Sequence, residues 1–263
     1  MKRLIIFFAL FAILTSSCQF QSKDEYTPST NERMLMATLY QQKAAENDAL
    51  YLQAYNIATI MIYDELNKTV NKKRAIITDI DETVLDNSPY QAKCMLEGIS
   101  YPEKWDEWCM LSRAQALPGS QKFLNFVASK EIEIFYVTNR KEHLKGATIE
   151  NLKRRGFPYA DKDHLFMRTS TTSKESRRNS IEEDYREVML LGDNLGDFSK
   201  VFEGRSSEER KEMVDKLESS FGRRFIAFPN PMYGSWENAI YDYKTDTTAK
   251  AKAAMRIKAL ESF

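Results

Sequence analysis

Two aspartates one residue apart, Asp79 and Asp81, follow directly on the apolar, β-branched run Ala75-Ile76-Ile77-Thr78. Such a run predicts a buried strand, and ligands of open α/β sheets bind where strands end. One carboxylate placed there can attack phosphorus while its neighbour passes a proton to the leaving oxygen. The spacing alone decides little, because Asp-x-Asp also occurs in solvated turns. A second acidic cluster behind a second apolar run strengthens the case: Val188-Met189-Leu190-Leu191-Gly192-Asp193-Asn194-Leu195-Gly196-Asp197. Four aspartates at two strand ends need a cation among them, and Mg²⁺ takes carboxylate and carbonyl oxygens. Between the clusters stand Thr138-Asn139-Arg140, behind an apolar run at 132–137, and Lys174. Thr138 offers a hydroxyl and nearby backbone N–H groups to a phosphoryl oxygen. Lys174 offers a positive charge where negative charge gathers in a transition state. Lys162 lies earlier in the same stretch.

The elements that must position these groups alternate. Strands are predicted at 75–80, 132–137, 165–167, 188–191 and 224–228, with helices at 120–130, 142–155, 174–184 and 207–221. Gly156 and Pro158 stop one helix, and Pro229-Asn230-Pro231 ends the last strand. This alternation predicts an α/β fold, a parallel sheet with helices on both faces. Residues 32–71 contain neither Gly nor Pro and repeat apolar positions at helical spacing (Leu35, Leu39, Leu50, Ala54, Ile57, Met61, Leu66). They predict a mainly helical N-terminal region. Residues 88–117, with Trp105 and Trp108, fall between the first acidic motif and the next α/β unit and read as a small inserted lid. The phosphate-handling domain spans 32–246, and the Ala- and Lys-rich stretch 247–263 is a helical tail.

Lys+Arg and Asp+Glu both number 38. That balance argues against a nucleic-acid polymer as partner, which calls for a basic excess. Lys2 and Arg3 precede an apolar run at 4–14, shorter than the ~20 residues a membrane span needs. A charged start, a short apolar core and a small-residue exit make residues 1–17 a signal segment. The exit Leu14-Thr15-Ser16-Ser17-Cys18 is similar to a lipobox, with Thr15 where Leu is usual; simple cleavage at a free Cys18 is the alternative. Lipidation of Cys18 would tether a soluble domain to a membrane, with the polar stretch 18–31 as a flexible tether. Losing Lys2 and Arg3 leaves the mature chain at about −2. Cys94 and Cys109 could pair in an exported chain or stay as two buried thiols. His143 and His164 are far apart and form no Cys/His metal cluster.

Taken together, the motifs resemble the haloacid dehalogenase superfamily, and more closely the class C, DDDD-type acid phosphatases of the bacterial outer-membrane lipoprotein e family. The residues that carry the resemblance are 79–90 (Asp-Ile-Asp-Glu-Thr-Val-Leu-Asp-Asn-Ser-Pro-Tyr), Val137-Thr138-Asn139-Arg140, Gly192–Phe198 and Pro229–Trp236, with Gln53-Ala54-Tyr55-Asn56 upstream. The resemblance implies that Asp79 is a nucleophile that becomes an aspartyl phosphate and that Asp81 is the acid and then the base. It implies Mg²⁺ held by the Asp79 carboxylate, the Asp81 backbone carbonyl and the Asp193 carboxylate, with Asp197 orienting waters or Lys174. Thr138 and Lys174 would hold the phosphoryl group, Lys174 being favoured over Lys162 because Ser173–Arg177 matches the family segment. Asn139 and Arg140 are either caps or substrate contacts, and Trp105 and Tyr233 would clasp the ring of an organic phosphate.

The activity so implied is hydrolysis of small phosphate monoesters, 5′-nucleotides included, by an exported protein lipid-anchored at the bacterial outer membrane. A non-catalytic ligand-binding lipoprotein on the same fold, or a phosphotransferase to alcohols, is the alternative. The sequence does not choose between a monomer and a homodimer.

Overall fold

The computed structural model describes residues 33–263. The signal segment, the tether and Cys18 lie outside the described residues. In chain order the first half comprises α1 (Arg33–Lys43), α2 (Ala45–Leu66), β1 (Arg74–Thr78), β2 (Leu85–Asp86), α3 (Ser88–Glu97), α4 (Trp105–Met110), β3 (Gln115–Ala116), α5 (Ser120–Ser129) and β4 (Glu133–Lys141). The second half comprises α6 (Lys145–Arg154), β5 (Leu165–Arg168), α7 (Glu175–Asp184), β6 (Arg186–Gly192), α8 (Ser207–Lys216), β7 (Phe225–Ala227), α9 (Ser235–Ile240) and α10 (Ala249–Lys258).

Five strands form a parallel sheet in the order β5-β4-β1-β6-β7. The α/β expectation holds: a parallel sheet is flanked by helices. Alternation along the strands shows why both faces are covered. Ile76 of β1, Ile134 and Tyr136 of β4, and Met189 and Leu191 of β6 join one buried apolar cluster. Their sequence neighbours Ala75, Ile77, Phe135, Val137 and Leu190 join a second. β1 pairs with β4 on one side and β6 on the other, so the three strands that carry the acidic and Thr-Asn-Arg motifs are adjacent.

The region between β1 and α5 departs from the sheet. β2 and β3 pair antiparallel, Leu85 with Ala116, and so bring the two ends of the excursion that holds α3 and α4 together at its base. From the other side α2 leans on the loop after β1. Tyr51 and Tyr55, one helical turn apart, pack on Phe228 with ring centroids at 5.4 and 4.6 Å. Their hydroxyls donate to the Glu82 and Thr83 carbonyls, each at 2.7 Å. These tyrosines therefore serve as core and as anchors of the loop that carries Asp79 and Asp81.

One helix is shorter than the sequence suggests. α8 ends at Lys216, and a 3₁₀ turn at Glu218–Ser220 takes its place. Phe221 is thereby drawn out of helical register to pack against Phe198 and Phe225.

Candidate active site

Asp79 and Asp193 each sit one step beyond a strand. Asp79 follows β1, and its N–H donates to the Leu191 carbonyl at 2.9 Å, which ties the end of β1 to β6. The chain then turns tightly: the Ile80 carbonyl accepts from Thr83, Val84 and Leu85, and Glu82 takes a left-handed conformation with φ 58°, uncommon for a side chain of its size. Asp193 follows β6, and Asp197 closes a single 3₁₀ turn. That turn is a capping box: Asn194 accepts from the Gly196 N–H, and Asp197 Oδ2 accepts from the Asn194 N–H at 2.9 Å. Asp197 folds back so closely on Gly192 that a Cβ at that position would overlap its side chain. Glycine there is a condition for the position of Asp197.

Lys174 stands at the entrance to α7. Its ammonium donates to Asp79 Oδ1 and to Asp197 Oδ1, the latter at 2.6 Å. Two arginines on α7 fix it from both sides. Arg177 reaches the Thr138 carbonyl at 2.6 Å and Asn139 Oδ1 at 2.8 Å, at the end of β4. Arg178 reaches the Gly196 and Asp197 carbonyls at 3.0 and 2.8 Å, beyond the end of β6.

Asp81 is held differently. Its Oδ1 accepts from Arg140 Nε at 2.9 Å, Arg140 Nη2 at 2.7 Å and Asn87 Nδ2 at 2.8 Å. Its Oδ2 meets the Thr138 hydroxyl at 3.2 Å. Asn87 is the junction: its Oδ1 accepts from Arg140 and, at 2.8 Å, from the Trp108 indole of α4. The inserted segment is thus wired to the Asp81 carboxylate.

A cavity of about 570 Å³ opens over these groups. Asp79, Asp81, Lys174, Asp193 and Asp197 form its floor, and Asn139, Arg140, Trp105 and Tyr233 contribute to its walls. Thr138 does not line it. This residue is fully buried beneath Asp81, with its hydroxyl turned to that carboxylate. The Asn139 amide is occupied by Arg177 and the Thr172 carbonyl. Lys162 is exposed and takes no part in the cavity. Several contributors carry no assignment from sequence, among them Glu82, Asn230 (which donates to Asp193 Oδ2 at 2.8 Å), Tyr51, Tyr55 and Arg178.

The electrostatics follow from burial. Asp79 is pushed up to about 7, first by desolvation and then by Asp197 and Asp81, against the pull of Lys174. Asp193 is raised well above the carboxylate range by burial, Asp197 and Asp79. Glu82 is raised by burial and by Asp81 and Asp193. Burial lowers the Lys174 and Arg140 pKa values, but Asp197 and Asp79 outweigh it for Lys174 and Asp81 for Arg140, so both cations rise. Carboxylate oxygens of Asp79, Asp193 and Asp197 lie within 4.8 Å of one another. Three hard oxygen donors with unmet negative charge suit a divalent cation.

Comparison with known proteins agrees with this geometry. The sequence profile of the HAD superfamily, subfamily IIIB (Acid phosphatase), matches residues 16–236. This chain belongs to that family, one of phosphomonoester hydrolases. The class C acid phosphatase from Bacillus anthracis, solved alone and with tungstate bound, superimposes with a TM-score of 0.87 at 43 % identity, covering 90 % of this chain and 100 % of that one. Acid phosphatase 1 of Solanum lycopersicum is 34 % identical over 167 residues, 60 % of this chain and 57 % of the tomato protein. Vegetative storage protein 1 of Arabidopsis thaliana is 26 % identical over 212 residues, 71 % of this chain and 70 % of its own length. The chain thus spans little more than half the length of the tomato relative.

Raised carboxylate pKa values have a sign. The folded state keeps protons on Asp79, Asp193 and Glu82 that the unfolded chain releases above its ordinary carboxylate pKa values. Metal-free stability therefore falls as pH rises, for Asp79 across about pH 4 to 7. Glu65 and Asp161, whose pKa values are lowered, act in the opposite direction but only below about pH 5. Thermal melts of the chelator-treated protein should show the melting temperature dropping between pH 5 and 7.5. A rise over that interval contradicts the assignment.

Proposed function

We propose that this protein is an exported, Mg²⁺-dependent acid phosphatase that hydrolyses small phosphate monoesters through an aspartyl-phosphate intermediate. One observation carries the reading: a buried carboxylate, Asp79, sits at the floor of a cavity between a buried ammonium and a second carboxylate whose other oxygen is locked. In the first step an Asp79 oxygen attacks phosphorus and the bond from phosphorus to the leaving oxygen breaks. Asp81 supplies the proton that the leaving oxygen takes up. In the second step Asp81 accepts a proton from water, the water oxygen bonds to phosphorus, and the Asp79–phosphorus bond breaks to release phosphate.

Within that scheme each neighbour has a physical task. Oδ1 of Asp81 is saturated by three N–H donors, so the transferred proton belongs on Oδ2, where Thr138 orients it. Lys174 keeps Asp79 directed at the cavity and offsets charge on the phosphoryl oxygens. Asp79 and Asp193, with the Asp81 carbonyl, would hold Mg²⁺, and Asp197 would keep Lys174 in place. When bound, the ion would lower the repulsion between the carboxylate and the phosphate oxygens. The tungstate, an oxyanion, bound to the Bacillus anthracis relative supports a tetrahedral anion as occupant of this cavity. Trp105, Tyr101 and Tyr233 line the cavity, and this aromatic lining supports ring-bearing esters such as 5′-nucleotides among the substrates.

The anchoring proposal rests on the Ser16-Ser17-Cys18 exit. A lipid on Cys18 would hold the domain at the bacterial outer membrane, and no helix among the described residues is long and apolar enough to cross a bilayer. Whether the protein works as a monomer or a homodimer does not alter the chemistry, since all the groups named come from one chain.

Turnover of p-nitrophenyl phosphate and nucleoside monophosphates tests the central role. Asp79→Asn should lose more than about a thousandfold in kcat, and EDTA should abolish wild-type activity until Mg²⁺ is returned. Activity that survives either treatment removes the mechanism.

Arg140→Lys separates the lock on Asp81 from a general loss of structure. p-Nitrophenolate leaves without a proton, whereas an alkoxide does not. The variant should lose about tenfold more kcat on ethyl phosphate than on p-nitrophenyl phosphate. Equal losses on the two esters contradict the acid role.

A further inference from the structure

Beside the catalytic cavity lies a second hollow of about 290 Å³. The wall between them is shared, since Gln91, Tyr101, Tyr233 and Glu237 line both. Beyond that wall polar groups (Ser100, Thr247, Lys252 and Arg256) share the lining with an apolar set. Met34 at the start of α1, Met95 on α3, Ile99 just after it and Met232 behind β7 face the hollow. None of the four contributes to the chemistry at Asp79. Arg256 of α10 closes the far side, but the Tyr241 hydroxyl and Glu237 already engage it. Lys252 lies over the Tyr241 ring at 5.2 Å. Arg256 is thus engaged within the fold, and Glu237 adds negative charge to the same lining, which makes the hollow a poor second phosphate site. Three methionines, unbranched and with three rotatable bonds each, conform readily to a chain of variable shape.

We propose that this hollow receives the distal part of the leaving group, so that the enzyme accepts amphiphilic phosphate monoesters. The phosphate lies at Asp79, and an unbranched alkyl or acyl chain runs past Tyr101 and Tyr233 into the methionine-lined space. This assignment rests on the phosphatase reading and adds a substrate class to it. Tyr101 is exposed and Tyr233 half-buried, and both rings border the two spaces, so a chain that reaches from one to the other runs beside them.

Kinetics of the full chain with Mg²⁺ on monoalkyl phosphates from ethyl to dodecyl, each below its micellar concentration, test the proposal. Burying apolar chain should raise kcat/KM by up to about fourfold per methylene, levelling off once the hollow is full. Met95→Trp, which fills the space, should lower the dodecyl-to-ethyl ratio of kcat/KM at least tenfold. Met95→Ala, which enlarges it, should shift the plateau to longer chains. A flat series on an enzyme that turns over ethyl phosphate overturns the subsite alone, as does a chain-length ratio that neither variant moves. Absence of turnover on every ester overturns the phosphatase reading and the subsite with it.

Discussion

One buried ammonium faces more negative charge than it can neutralise. Lys174 bonds Asp79 and Asp197 directly, and Asp193 stands close to both carboxylates. Isolated charges in such a place would be neutralised by protonation, and the raised Asp79 and Asp193 pKa values show that tendency. A protein that needs these groups ionised must supply a further positive charge. The adjacency of β1 and β6 creates the problem, because it puts two acidic strand ends side by side. The same adjacency gathers carboxylate oxygens of Asp79, Asp193 and Asp197 within 4.8 Å of one another, a set that could hold a divalent cation.

The surrounding fold is organised to keep those charges from relaxing apart. α2 clamps the loop after β1 through two tyrosine hydroxyls. α7 grips the ends of β4 and β6 through Arg177 and Arg178, and Lys174, one residue before that helix, inherits their rigidity. Gly192 makes room for Asp197 to fold back. Asp81 has its own restraint in Arg140 and Asn87, and Trp108 extends it into the inserted segment. The two carboxylates of the Asp-x-Asp motif therefore live in different surroundings. Asp79 is pressed among like charges around a lysine, and Asp81 is paired with an arginine. Such a division is what distinct roles for two neighbouring carboxylates require.

Much of this was legible in the sequence because it depends on local order. Apolar runs ending in Asp79 and Asp193 mark strand ends, and alternation of strand and helix marks a parallel sheet. Lys174 was readable from its flanking Ser173–Arg177. The partners fixed by long-range packing were not readable. The Gln53–Asn56 segment marks Tyr55 as part of a motif but gives no contact for it, and nothing local distinguishes Tyr51 from other apolar positions of α2, although their spacing of four places both on one face. Thr138 was expected to meet the phosphoryl group, yet its hydroxyl lies beneath Asp81, because residue alternation in β4 says nothing of depth below the cavity floor. Glu82 is buried in a left-handed turn, a conformation that an acidic residue in a motif does not announce. Arg140 was open between cap and substrate contact. Its two hydrogen bonds to Asp81 Oδ1 need β4 and the loop after β1 to be neighbours, which only the sheet order supplies.

Equilibrium dialysis of the chelator-treated protein against Mg²⁺, with bound metal counted per chain, measures the charge imbalance most directly. The account predicts one ion per wild-type chain near neutral pH and none at the same concentration for Asp193→Asn, whose fold is checked by circular dichroism. A wild-type chain that takes up no ion, or a variant that binds as well as wild type, contradicts it.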